Sequence, residues 1–208
     1  MSDIPDSFLE WLYRERARLI RRQAAGESLP RGELLLGFTR HSPAVVTCGP
    51  AGLNASIKGI GFIPKAEYLE ETLAAYLAHI ERGWRPGYRE EGLRLLVERL
   101  YSPPAEGRLD FSRLGTLELA RCHTYVNLQA DPRVTLLFFE PPSVSYELRG
   151  RAEIHQEGSP YHRFLNAQHD VFHFPHPERW SERPAYLFFI EEIYDNSASE
   201  GGFGRRIY

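Results

Sequence analysis

The residues best suited to chemistry sit in one short stretch, Asn54-Ala-Ser-Ile-Lys-Gly59. Asn54, Ser56 and Lys58 alternate with Leu53, Ala55 and Ile57. This period-2 pattern puts an amide, a hydroxyl and an ammonium on one side of a strand and apolar groups on the other. Such a face could seat an anion, a phosphate above all: Lys58 supplies charge, Ser56 and Asn54 supply direction, and Gly59 lets a ligand approach the backbone. The plainer alternative is a solvated strand face. A second candidate group is Arg121-Cys122-His123-Thr124, at the start of a helical stretch, where side-chain and backbone donors could complete such a site. His162, His169, His173 and His176 crowd together, with His169 and His173 one helical turn apart. Pro175 and Pro177 interrupt the run and no zinc-protease pattern accompanies it, so surface or interface histidines are expected, with metal or haem binding as the alternative.

The elements that must position these groups follow from periodicity. Ser7 to Ala24 reads as an amphipathic helix with a capping-box start. Leu34 to Phe38 and Ala44 to Cys48 are short apolar runs, and Gly49-Pro-Ala-Gly52 is a turn before the strand of Asn54, Ser56 and Lys58. Residues 65–101 read as a helical hairpin broken at Gly83-Trp-Arg-Pro-Gly87. Its two apolar stripes need a partner surface, expected over a cleft mouth or at a dimer contact. A short strand near Leu109 to Phe111 precedes a helix over 116–130, which must stop before Asp131-Pro132. Strands are expected at Val134 to Phe139, at Tyr146 to His155 and at Tyr186 to Tyr194, with a helix over 160–172 between the last two. The Gly/Ser-rich tail from Ser197 to Tyr208 reads as partly ordered at best. No repeat or linker divides the 208 residues, which form one domain with a helical insertion.

Composition bounds the function classes. With 25 Lys+Arg against 28 Asp+Glu the formal net charge is −3, which makes neither nucleic acid nor an anionic membrane the expected partner. Two cysteines, Cys48 and Cys122, allow one disulfide but do not make a disulfide framework, and Cys122 is expected as a small buried hydrophobe, with a redox thiol as the alternative. The acidic first residues do not read as a signal peptide, and no apolar run is long enough to span a bilayer, so a reducing cytoplasm is the expected setting.

Several segments resemble pyridoxamine 5′-phosphate oxidase-like FMN-binding split barrels. They are Tyr125-Val-Asn-Leu-Gln-Ala-Asp-Pro-Arg-Val, then Tyr146-Glu-Leu-Arg-Gly-Arg-Ala-Glu-Ile, and before both the Ser42–Gly59 hairpin, whose Asn-x-Ser-x-Lys-Gly ending is similar to a subgroup's Asn-Val-Ser-Pro-Lys-Gly. The resemblance covers about half the chain, including the opening Ile4-Pro-Asp-Ser-Phe-Leu9. It implies a mainly β fold, a six-stranded antiparallel split barrel with peripheral helices, forming a homodimer with FMN in clefts between subunits. It further implies that Ser56 and Lys58 hold the flavin phosphate or ribityl chain, with Asn54 on the same face and Thr124, Arg121 and His123 on the phosphate side. The oxidase's usual Ser-x-Lys is replaced here by Cys122-His-Thr124, and its substrate-phosphate residues have no counterpart, so vitamin B6 oxidation is not implied. The expected function is an FMN-binding oxidoreductase acting on a small molecule, with a deazaflavin as a possible substitute cofactor. The alternatives are a flavin-free binding module or a haem- or metal-binding relative.

Overall fold

A computed structural model of the chain describes residues 4–208. The strands are β1 (Ala44–Thr47), β2 (Asn54–Ile57), β3 (Gly61–Pro64), β4 (Leu109–Leu117), β5 (Arg133–Glu140), β6 (Val144–His155), β7 (Ala185–Asp195) and the two-residue β8 (Arg205–Arg206). All pairings are antiparallel, in the order β2-β1-β5-β6-β7-β4-β3, with β8 on β7. The two ends of this path are consecutive in the chain: β2 stops at Ile57 and β3 starts at Gly61. A flat sheet of seven strands would hold its edges roughly 29 Å apart, at about 4.8 Å per step. The short link can span only about 14 Å even fully extended. The sheet is therefore rolled until its edges meet, with no ladder between them: an antiparallel split barrel. It has eight strands rather than six, counting the two-residue β8 that pairs only with β7.

Helices cover the barrel. The N-terminal segment runs through α1 (Asp6–Leu9), a π-helical turn (Glu10–Arg14) and α2 (Glu15–Ala24). It buries Phe8 and Trp11 against Phe138 and Tyr146 of the barrel, and Tyr13 against Phe62 and Phe111. The rings of Phe8 and Tyr146 meet edge to face at 5.1 Å, a geometry worth about 1 kcal/mol beyond area burial. The run Leu34 to Phe38 is helical, within α3 (Arg31–Thr39), rather than strand-like. Pro30 starts that helix, and Gly37 lets it lie against Leu19, where a Cβ would stand 2.4 Å from the leucine methyl.

The insertion folds as α4 (Ala66–Glu81) and α5 (Tyr88–Leu96), then a π-helical turn (Val97–Tyr101) and α6 (Pro103–Glu106). The partner surface its stripes require is the chain's own. Leu69, Leu73, Tyr76 and Ile80 pack on Phe164, Leu165, Ala167 and Val171, of and just after α8 (Pro160–Asp170), and on Leu187 of β7, making a second core. The helix expected over 116–130 is shorter: β4 continues to Leu117, and α7 (His123–Ala130) follows a loop. A 3₁₀ helix (Pro177–Glu182) leads into β7. The tail is folded back rather than loose, with β8 on β7 and Ile207 N donating to Ile193 O at 2.8 Å. Among the described residues no helix is long and apolar enough to cross a membrane.

Candidate functional site

The polar alternation of β2 is real, but its two faces are turned opposite to the usual sense. Cross-strand partners share a face, and Ser56 lies opposite Val45, itself opposite Leu136, both buried. Asn54 lies opposite buried Thr47. Asn54 and Ser56 therefore point inward, and the solvated-face reading is set aside. The apolar side faces out: Leu53 is 80% exposed and Ile57 69%. Ile57, Ala44 and Leu137 form one outward row across three strands.

Helix α7 covers the inward polar side. Asn54 Nδ2 donates to Thr124 Oγ1 at 2.9 Å, and Ser56 Oγ lies 2.9 Å from the same oxygen. Three of the sequence-derived candidates thus meet at the first turn of α7, where backbone N–H groups lack helical partners and favour negative charge. The register of helix against hairpin is set by Asn127, which is fully buried. Its Oδ1 accepts from Ala51 N at 2.8 Å and its Nδ2 donates to Gly52 O at 2.7 Å and Thr47 Oγ1 at 3.2 Å. Gly49 permits this approach, since a Cβ there would lie 3.0 Å from the Asn127 backbone.

Lys58 does something else. Its Nζ donates to Glu118 Oε2 at 2.9 Å, with side-chain exposures of 11% and 3%. The same oxygen accepts from Tyr186 Oη at 2.8 Å, and Oε1 accepts from the backbone N–H of Ala120 and Arg121 at 2.8 and 2.9 Å. Burial pushes the Glu118 carboxyl up, but the Ala120 N–H, Lys58 and Tyr186 outweigh it and hold it below the ordinary carboxylate range. Burial and the neighbouring carboxylate raise the Tyr186 phenol well above its usual value. The ammonium is therefore compensated inside the protein and brings no net charge to a phosphate.

The other candidates separate. Arg121 adopts a left-handed backbone (φ 50°) and its one side-chain hydrogen bond among the described residues goes to Ser181 O at 3.0 Å. His123 is exposed at the first position of α7. Sequence reasoning missed Glu118, although an acid set between Leu117 and Leu119 signals a buried charge in need of partners. Cys122 is exposed, as is Cys48, and both are free thiols, contrary to the buried reading of Cys122.

The histidines are also distributed differently from the surface reading. His162 is buried with Nε2 2.9 Å from Trp180 O, whereas His169 stacks on His173 at 4.4 Å. Among the described residues no group of three His, Cys, Asp or Glu is placed to hold a metal ion.

As a seat for a flavin mononucleotide the donor set fits in part. Asn54, Ser56, Thr124 and the α7 N-terminus suit hydroxyl and phosphate oxygens, while the Lys58–Glu118 pair removes the expected cation. No known family model matches the chain, and no curated protein matches it. Among solved structures it is similar to HupZ of Group A Streptococcus, at 14% identity over 83% of this chain and 97% of that one, with a TM-score of 0.46. It is also similar to HutZ, described as the heme storage protein from Vibrio cholerae, at 12% identity over 79% and 93% with a TM-score of 0.45. An F420 reductase aligns at 15% identity over 74% and 88% with a TM-score of 0.42. In its fold the chain is an antiparallel split barrel, the architecture that the sequence resemblance implied, read from its own strand order and from the rolling that the link after β2 imposes.

Proposed function

We propose that this protein is an FMN-binding oxidoreductase that acts on a small molecule as a homodimer. The observation that carries the reading is the inward cluster of Asn54, Ser56 and Thr124 at the first turn of α7, three neutral hydrogen-bonding groups brought together by a strand and a helix far apart in sequence. These side chains would hold ribityl and phosphate oxygens, and His123 stands at the helix start as a further side-chain donor. A bound flavin supplies the redox chemistry; the protein's part is to fix its orientation and limit access.

Homodimerisation is supported by the outward row of Ile57, Ala44 and Leu137, with Leu53 and half-exposed Phe139 nearby. β2 is a sheet edge, and an apolar face beside an edge is a surface that a second copy can cover isologously. Sedimentation at micromolar concentration checks this, and a monomer alone would count against it.

The test of the cofactor is titration of the flavin-free chain with FMN and riboflavin, read by flavin absorbance near roughly 450 nm. Binding of both, weakened by Ser56→Ala and Thr124→Val, supports the reading. A second reading, a flavin-free binding module, is favoured by the internal neutralisation of Lys58. Absence of any flavin binding would select it, and a Soret band in the purified protein would select haem instead.

A further inference from the structure

A cleft of about 440 Å³ lies between the loop after β4 and the segment leading into β7, lined among others by Arg121, His169, Arg179, Glu182 and Arg183. Three arginines line it in a chain whose formal net charge is −3; Arg179 is paired with Glu182 and Arg183 with Asp170, and Arg121 has no carboxylate partner among the described residues. We infer that this cleft binds a small oxyanion, a carboxylate or phosphate carried by a free metabolite-sized molecule.

Three independent features support a built site rather than a chance gathering of charge. The first is the use made of each arginine. Among the described residues Arg121 makes one side-chain hydrogen bond, to Ser181 O, Arg179 makes one, to Glu182 Oε2 at 3.1 Å, and Arg183 makes one, to Asp170 Oδ1 at 3.1 Å. A guanidinium carries several more N–H donors in a planar fork, the geometry that recognises carboxylate and phosphate. Glu182 is the one carboxylate on the lining, and its ion-pair partner is Arg179.

The second is rigidity. Arg183 is 8% exposed and is held from behind by Asp170, which is fully buried. That carboxylate also accepts from His169 Nδ1, from Trp180 Nε1 and from His176 N, each at 2.8 Å. One buried acid thus fixes Arg183 and His169 together, a preorganisation that lowers the cost of binding.

The third is strain. Arg121 occupies the left-handed region at φ 50°, which costs a non-glycine residue and persists only where neighbours impose it. Glu118 imposes it by accepting from the N–H of both Ala120 and Arg121. The strained backbone carries the Arg121 side chain across to the opposite wall at Ser181.

The site does not depend on the flavin reading, so it is tested on flavin-free full-length protein. Calorimetric titration at low ionic strength would use citrate and inorganic phosphate as probes, on wild type, on Arg121→Ala/Arg179→Ala and on Glu182→Gln. Both arginines are exposed, so the double variant should keep its melting temperature. The expected result is saturable binding of at least one probe, weakened about tenfold or more in the double variant and strengthened in Glu182→Gln. The tighter probe identifies the anion type. No binding at millimolar probe, or equal affinity in all three proteins, overturns the proposal.

Discussion

Two buried carboxylates organise this molecule, and they do so differently. Glu118 and Asp170 are 3% and 0% exposed, and each accepts from four donors that include one cation and one aromatic side chain. Glu118 joins a lysine in the link after β2 to a tyrosine on β7 and closes the barrel side. Asp170 joins the end of α8 to the segment before β7 and closes the insertion side. Lysine brings a compact point charge, and the pairing leaves it hidden. Arginine brings a fork, and the pairing with Asp170 uses one prong of a side chain that borders a cleft. The same device therefore silences both cations, with 11% of the Lys58 and 10% of the Arg183 side chain exposed, and the contrast lies in shape, a point charge against a planar fork.

Removing Asp170 should have the largest effect. Asp170→Ala strands a nearly buried guanidinium and an indole N–H, and is expected to cost about 3–5 kcal/mol in denaturant unfolding. Lys58→Ala should cost less, about 1–3 kcal/mol, because Glu118 keeps Tyr186 and two backbone donors. Equal losses would show that the two carboxylates are equivalent and remove the contrast. Glu118→Gln tests the silencing directly. It frees the Lys58 charge, so FMN affinity should rise about tenfold relative to riboflavin, which has no phosphate. An unchanged ratio would place Lys58 away from any phosphate.

The acid limb of stability should distinguish the carboxylates from His41. Glu118 and Asp170 both titrate below the ordinary range, so their contribution is complete above about pH 5 and is lost as pH falls through the lowered values. His41 has a buried, unpartnered Nδ1, and burial lowers its pKa to about 3. The unfolded imidazole binds a proton from about pH 6.5 downward while the folded one resists it. Melting temperature should therefore begin to fall below about pH 6.5, earlier than the carboxylates dictate. Burial lowers His79, His155 and His173 as well, so His41→Gln should reduce rather than abolish the slope between about pH 6.5 and 5; an unchanged slope would assign that interval to those three.

Much of the architecture was legible because period and punctuation are local. The helical hairpin of residues 65–101, the strands from Val134 and Tyr146, and the alternation of Asn54, Ser56 and Lys58 all follow from spacing. Which side of that alternation faces inward was not legible, because it depends on Thr124, far downstream, and on the Asn127 staple. Leu34 to Phe38 misled because a short apolar run has no period of its own; its helix is set by Pro30 and by Gly37 lying on Leu19. Lys58 was read by its charge, but the residue that cancels the charge lies sixty positions away. Glu118 had only its leucine neighbours to announce it.

The link between β2 and β3 has a mechanical consequence. It crosses the one seam of the barrel that no ladder closes, and it carries Lys58, whose ammonium is fastened to Glu118 just past the end of β4. The seam is thus closed twice, once by covalent chain and once by an ion pair that acts as a latch. Slow opening of the barrel would have to release that latch first. The amides of β2 and β3 would then exchange with solvent as one cooperative unit, and Lys58→Ala would speed their exchange more than that of the central β5–β6 hairpin.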